Sequence, residues 1–445
     1  MINPKTNERI KLLVVSQYYY PEQFRINDMC AEWVRRGYDV TVVTGVPNYP
    51  QGSFYEGYNW FKGRTEVHDG VKIIRLPIIS RGRSKFRLGL NYVSFVVSGL
   101  FWKLFTNQQA DIVFSFEVSP MSQVLPAVWF ARRREVPCFA YIQDLWPDNF
   151  MEITGIRRGV LVDFISRMSD YIYKNCTHIL VTSKSFKKTL EERGVPADKV
   201  EFWPQYAEEH YSPSKEISDL LPAERFFTIA FTGNIGESQG LEILPKTAIL
   251  LKEKGIEVLF LIVGTGRGLP ELQKVIENAG VSEYFYFLPQ QPPQQIPSIL
   301  AGCQAAFISY TDKPAFRKTL PAKLQSYMAC GMPIIASVDG ETKDVIEEAN
   351  CGIISGIEDP EDLCESIEKL LNADGDYLYQ LAENAIRYSV IHYDKHKLMN
   401  VIDNLFLRSM EHNPFLPNDY KTQILSFLIS EMYKTIRLLE ALNAG

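Results

Sequence analysis

Patterns for binding metals and forming disulfides are missing from this chain. Its seven cysteines, at positions 30, 138, 176, 303, 330, 351 and 364, include no Cys-x-x-Cys pair. That excludes a zinc knuckle and a disulfide framework and points to thiols kept reduced. The six histidines form no metal-ligating cluster. Asp374-Gly-Asp376 has the form of a two-carboxylate metal motif, yet it falls between two late helical patterns and reads as a turn. No metal and no cofactor are expected. The apolar stretch at 92–105 is shorter than the roughly twenty residues needed to cross a bilayer. Met1 to Ile10 is polar and runs straight into a strand, so no secretion signal is expected. Low-complexity tracts and short repeats are lacking, as are a Gly-Lys-Ser/Thr phosphate loop and a Gly-x-Gly-x-x-Gly with a ribose acid about twenty residues on.

What is present is size and a twice-used plan. A chain of 445 residues, 46% apolar, exceeds what one core usually supports, so two domains of about 200 residues are expected. Short, nearly continuous apolar runs at 11–16, 39–44, 111–116, 138–143 and 178–182 alternate with helical patterns. Strands of that kind are buried on both faces, which predicts a parallel sheet between helices. Runs at 227–232, 258–263, 284–288, 305–309 and 333–336 repeat the plan. Between the halves, 206–225 is proline-punctuated and weakly periodic, as a linker would be. The predicted organisation is 1–205, linker 206–225, 226–390, and a helical tail at 391–445. Beyond Phe415, apolar residues recur at helical spacing and want a partner, whether the first domain, a membrane or a second copy. Charge is divided unevenly, +7 over 1–205 and −13 over 206–445. Without a nucleic-acid motif and with an acidic total, nucleic acid is not an expected partner.

Two segments carry chemistry. In Phe231-Thr-Gly-Asn-Ile-Gly-Glu-Ser-Gln-Gly-Leu-Glu242 a β-rich run breaks into glycines and then into a helical pattern. Gly233, Gly236 and Gly240 permit close backbone approach, and the following helix points its positive end at the same place, so an anion should sit there. The second, Pro321-Ala-Lys-Leu-Gln-Ser-Tyr-Met-Ala-Cys-Gly-Met-Pro-Ile-Ile-Ala-Ser337, reads as a helix stopped by Gly331 and then a buried strand. This pair, in this order, resembles the C-terminal half of retaining glycosyltransferases of family 4. The resemblance is strongest to the branch adding fucose-type or N-acetylated deoxy sugars in bacterial surface polysaccharides, and it runs from Lys11 to about Phe406. It implies the GT-B fold: two Rossmann-like doubly wound α/β domains facing across a cleft, with C-terminal helices returning to the first domain.

The resemblance also implies a site. Gly233 and Asn234 would lie at the donor diphosphate, with Gly236, Gln239 and Gly240 shaping the loop. Gly264 and Gly266 would line the nucleotide side, and Leu288 would offer backbone atoms to the base. Many relatives carry an arginine and a lysine around the phosphate loop, where this chain has Asn234 and Gln239. Arg317 and Lys323 are then the candidate cations for the developing phosphate charge, with Lys318 next to them. Ser326 and Lys318 occupy the places of the family's two glutamates, which puts the ribose contact in doubt and leaves Glu341 as a substitute. In the first half, Tyr141-Ile-Gln-Asp-Leu-Trp-Pro-Asp148 places Asp144 at a cleft edge as a candidate base or sugar-orienting group, with a helix cap as its plain alternative. Arg25 and Asn27, after the first strand, are candidate contacts to the acceptor or the donor phosphate, and Glu117 is a candidate acceptor contact.

The expected activity is transfer of an N-acetylated deoxyhexose from a UDP-sugar to a polyprenyl-linked saccharide. GDP-fucose remains a rival donor. A non-hydrolysing nucleotide-sugar 2-epimerase and a non-catalytic nucleotide-sugar-binding protein remain as alternatives. Arg81, Arg83, Lys85 and Arg87 precede the aromatic helix pattern at 92–105. Such a flank suits an anionic membrane surface, implying a cytoplasmic protein held peripherally at the inner membrane, with a core helix as the other reading. A homodimer through the tail is a further expectation.

Overall fold

In a computed structural model the protein is described over residues 1–3, 6–82, 84–223 and 226–411. The tail beyond Glu411, the linker's residues 224 and 225, and Arg83 lie outside the described residues.

The apolar runs of the first half become β1 (Lys11–Val15), β2 (Asp39–Gly45), β5 (Ile112–Glu117), β6 (Cys138–Ile142) and β7 (His178–Val181). Three strands join them: β3 (Thr65–His68), β4 (Val71–Leu76) and β8 (Val200–Phe202). The order is β3-β4-β2-β1-β5-β6-β7-β8, parallel except for β3. The second half forms β9 (Phe227–Thr232), β10 (Val258–Val263), β11 (Phe285–Leu288), β12 (Ala305–Ser309), β13 (Ile334–Ser337) and β14 (Gly352–Ser355). Its order, β11-β10-β9-β12-β13-β14, is parallel throughout. Both sheets reverse direction beside their first strand, between β1 and β5 and between β9 and β12. Ligands of doubly wound sheets bind outside the carboxyl ends at such points.

The Lys395–Glu411 helix returns to the first half. Its Met399, Ile402, Phe406 and Met410 join the buried cluster around Trp33, Phe114 and Trp203. Polar bonds fix its register: Tyr38 Oη donates to Asp403 (2.7 Å), Arg36 pairs with the same carboxylate (2.8 Å), and Trp203 Nε1 donates to the Leu398 carbonyl (2.8 Å). The linker's first residues are anchored as well, Tyr206 lying in the same cluster. Asp374, read as part of a turn, caps the Gly375–His392 helix by accepting from Tyr377 N. Among the described residues no group of His, Cys, Asp and Glu is arranged to hold a metal, and all seven cysteines are free.

The apolar stretch at 92–105 is part of a longer helix, Lys85–Phe105, which Ser84 caps by accepting from Arg87 N. Its 21 residues are long and apolar enough to cross a membrane by length and composition, unlike the shorter stretch expected. One face packs on the domain, through Phe95, buried Asn91 and the stacking of Trp102 on Phe130 (5.2 Å). The other exposes Phe86, Val93, Phe101, Leu104 and Phe105.

Phe406 meets Trp33, Tyr38, Phe114 and Phe139 at ring separations of 5.9, 6.2, 6.2 and 4.8 Å. Phe406→Ala should therefore cost the first domain about 3–5 kcal/mol in urea unfolding. A loss below about 1 kcal/mol would show that the returning helix is not part of that core.

Candidate functional site

At the end of β9 the chain turns through Gly233, which has φ +136°. The segment after β10 lies directly against this turn. Ile235 N donates to Thr265 O (2.9 Å), Gly268 N to Ile235 O (2.9 Å) and Gly233 N to Val263 O (2.9 Å). A β-carbon on Gly264 would fall 1.9 Å from the Gly233 carbonyl oxygen, and one on Gly266 would fall 2.0 Å from that of Ile235. Gly264 and Gly266 are thus required by loop packing on loop. Gly233 and Asn234 stay exposed at the rim, where a ligand can reach them. The Leu288 carbonyl accepts from Gly264 N (3.0 Å) and its side chain is buried, so this residue first of all fixes the second loop. Gly240, with φ +60°, ends the short turn that carries Gln239 and abuts Thr311.

Lys323 comes up beneath that loop from the first turn of the Ala322–Ala329 helix. Its ammonium donates to Gln239 Oε1 and lies 3.8 Å from the centroid of the Phe231 ring. Burial lowers its pKa to about 7. No carboxylate pairs with it among the described residues, so it is a cation ready for an incoming anion. Arg317, the other expected cation, is placed elsewhere. Asp312 and Asp339 hold its guanidinium, each at 2.7 Å, and the side chain is 46% exposed.

Glu341 has a task that sequence reasoning did not foresee. Its carboxylate accepts from Lys184 N (2.8 Å), Ser185 N (3.0 Å) and Ser185 Oγ (2.6 Å), capping the Lys184–Glu192 helix of the other half. An acid at a helix N-terminus is favoured by the unpaired N–H groups there. The expected ribose contact would require it to leave those bonds. Ser183 Oγ donates to the Lys318 carbonyl (2.7 Å) and Lys318 Nζ reaches Asp148 (3.5 Å), so this contact joins the two halves at one rim of the cleft. Ser326 is buried, and its hydroxyl donates back to Ala322 O (3.3 Å).

Asp144 follows β6 and does not cap a helix. Its Oδ2 accepts from Ser119 N (3.1 Å) and Ser119 Oγ (2.6 Å). Burial raises its pKa, and the Ser119 bond opposes the rise. Glu117 lies beneath it, fully buried, one oxygen accepting from Gln143 N and Asp144 N (3.2 Å each). Burial, and then the neighbouring Asp144 charge, push Glu117 well above the usual carboxylate range. Expected as a sugar contact, Glu117 instead sets the turn that presents Asp144. Arg25 and Asn27 are likewise committed internally. Arg25 bonds the Tyr206 carbonyl and Glu208 (3.1 Å), and Asn27 Nδ2 donates to Glu22 O (2.7 Å).

A cavity of about 210 Å³ brings the halves together. Asp144, Asp148, Asn149 and Phe186 line it from the first domain, and Ser238, Gln239, Tyr310, Phe316 and Lys318 from the second. That is below the ~300–1,000 Å³ of a drug-sized ligand pocket and fits a single sugar-sized group, leaving a nucleotide to extend along the open cleft. Tyr310 and Ser119 were missed in the sequence. Tyr310 follows the buried strand β12 as Asp144 follows β6, and the same end-of-strand rule would have marked it.

Residues 23–205 match the family described as glycosyl transferase 4-like domain, and 214–388 match glycosyl transferases group 1. WcaI of Escherichia coli (strain K12), whose name places it in colanic acid biosynthesis as a glycosyl transferase, is 25% identical over 359 residues, covering 75% of this chain and 84% of WcaI. Among solved structures, sucrose-phosphate synthase from Thermosynechococcus elongatus superposes with a TM-score of 0.69 at 13% identity, over 91% of this chain and all of that one. Anabaena HepE in complex with UDP gives 0.63 at 14% identity, over 89% of this chain and 99% of that one.

Lys323 should make nucleoside diphosphate binding depend on pH. The anion favours the charged amine, and the free site's pKa is about 7. Affinity should hold below pH 7 and fall as pH rises above it, by at most about tenfold per unit. Lys323→Met should weaken binding and flatten this slope. Calorimetry across pH 6–9 measures both, and a pH-independent wild-type affinity would contradict the assignment.

Proposed function

Because this chain is a glycosyltransferase built on two facing Rossmann-like domains, we propose that it takes a sugar from a UDP-sugar, with retention of configuration and without a metal. The acceptor in this reading is a polyprenyl-diphosphate-linked saccharide of a surface polysaccharide, and the sugar an N-acetylated deoxyhexose such as N-acetylfucosamine. The observation that carries it is the cavity where Asp144 of one half faces Gln239 of the other, one hydrogen bond away from Lys323. WcaI's name supports the polysaccharide setting, and the UDP complex of HepE supports the nucleotide.

Leaving diphosphate settles at the exposed Gly233-Asn234 turn, where Lys323 and the N-terminus of the Ile243–Glu253 helix meet its charge. Asp144, with Oδ2 held by Ser119, keeps Oδ1 for the acceptor sugar. It orients the attacking hydroxyl and takes its proton or hands that task to the leaving phosphate. The contact through Glu341 and Lys318 lets the halves close around both substrates. Arg317, held by two aspartates, serves only if it exchanges partners on donor binding.

The exposed face of the Lys85–Phe105 helix supports peripheral attachment to the cytoplasmic leaflet. Five bulky apolar side chains lie on it, with basic Lys85 and Arg87 in its first turn and no acid there.

Supplying the purified protein with UDP- and GDP-sugars and a polyprenyl-linked acceptor should yield transfer from UDP-sugars alone, with anomeric configuration retained by NMR. Asp144→Asn should lose about 10²-fold or more of that transfer while still binding UDP. Isomerised UDP-sugar would favour the epimerase, binding without turnover a non-catalytic protein, and GDP selectivity would overturn the base assignment.

For the membrane, Phe101, Leu104 and Phe105 replaced together by serine should release the protein from anionic vesicles in flotation. Wild-type protein that does not float at low salt would return the helix to the domain alone.

A further inference from the structure

Arg81 belongs to no ion pair among the described residues, although aromatic rings surround its guanidinium. Its Nη1 donates to Tyr18 Oη (3.2 Å) and its plane lies over the Tyr49 ring at 5.1 Å. Tyr18, Phe24 and Tyr49 pack together with centroids 5.2–5.8 Å apart, and Tyr49 remains 36% exposed. A guanidinium offers five N–H donors, and besides the Tyr18 bond no other side-chain bond occupies them in the described structure. The nearby acids bond other donors. Glu22 spends its oxygens on the N–H groups of Tyr19, Asn48 and Tyr49, and Asp144 is held by Ser119.

The position is built. Arg81 N donates to Asn48 Oδ1 (2.9 Å). Buried Asn91 donates to Ile79 O (2.6 Å) and accepts from Gln17 Nε2 (2.7 Å), while Gln17 N donates to Gln123 (2.8 Å). This network ties the first turns of the Lys85–Phe105 helix to the carboxyl end of β1, the switch point of the first sheet. Tyr92, about two turns into that helix, is half-buried beside Tyr18 and Arg81. Burial raises its phenol's pKa, and Arg81, Tyr18 and Asp144 all act on it.

We propose that Arg81, held from beneath by the hydroxyl of buried Tyr18 and flanked by the rings of Tyr49 and Tyr92, forms a subsite for the phosphate-bearing part of the acceptor, a glycosyl phosphate or diphosphate. The sugar ring stacks on tyrosine while the phosphate takes the guanidinium's paired donors. Arg87, whose Nη2 donates to Ser80 Oγ (2.8 Å), stands next in line. This rests on the transfer reading above and adds how the acceptor is told from an uncharged saccharide. It also separates Arg81 from a general membrane-attracting role, since its guanidinium is held on buried Tyr18 and over the Tyr49 ring.

Geranyl diphosphate, titrated calorimetrically into full-length protein saturated with UDP, is the test. Wild type should bind it and should not bind geraniol. Arg81→Gln should weaken binding on the order of tenfold or more, and Arg81→Lys by less, because a point charge keeps attraction but loses the paired geometry. Thermal melting of both variants separates this from misfolding. Unchanged affinity in Arg81→Gln, no binding to wild type, or a signal seen only without UDP would overturn the proposal. Phosphatidylglycerol vesicles that displace the probe at equal phosphate concentration would also overturn it, by showing a lipid-headgroup site. Failure of UDP to bind would strike the transfer reading itself, a separate observation from the Arg81 comparison.

Discussion

The donor side of this molecule depends on two backbones lying closer than any β-carbon allows. Only because Gly264 and Gly266 have no side chains can the segment after β10 rest on the turn after β9, with 1.9–2.0 Å between where their β-carbons would stand and the opposing carbonyl oxygens. That contact orients the Gly233-Asn234 turn outward and brings Gln239 over Lys323. In the proposed reading, the charge that relatives place on the loop is supplied from below it, by an amine with no acidic partner among the described residues. Burial holds that amine near neutrality, so its full charge is expressed when an anion arrives.

A second constraint joins the halves. The Lys395–Glu411 helix is part of the first domain's core though it follows the second domain in sequence. The two sheets are therefore tied at the back by covalent crossings and aromatic packing. At the cleft they meet through polar contacts, with Glu341 on the Lys184–Glu192 helix and Lys318 on Asp148. Polar contacts exchange with water at little net cost, whereas the core does not. Such an arrangement favours opening at the rim about a fixed rear.

Both sheets could be read from the sequence, because strands buried on both faces leave long apolar runs. The strands that were missed, β3, β4, β8 and β14, lie at or next to sheet edges. The edge strands β3, β8 and β14 are three or four residues long, and β3 reads Thr-Glu-Val-His with no buried residue. The glycine turn after β9 was legible, as a turn, because a strand that breaks into glycines fixes where the chain must bend. Arg317, Glu341, Arg25 and Glu117 were not, since their partners, Asp339, Ser185, Glu208 and the Asp144 backbone, are 22, 156, 183 and 27 residues away in the chain. Periodicity sees a charged residue near a cleft but not what neutralises it. Tyr18, Tyr49 and Arg81 come from three separate loops that only the fold assembles.

The central claim is that Lys323 takes the place of the missing loop cations in a sugar-nucleotide transferase. Its most direct measurement is a crystal structure with UDP bound. The account predicts β-phosphate oxygens within hydrogen-bonding distance of Lys323 Nζ and of the backbone N–H groups at Gly233-Asn234, with Gln239 displaced from the amine. A diphosphate seated against Arg317, with Lys323 still bonded to Gln239, would contradict it.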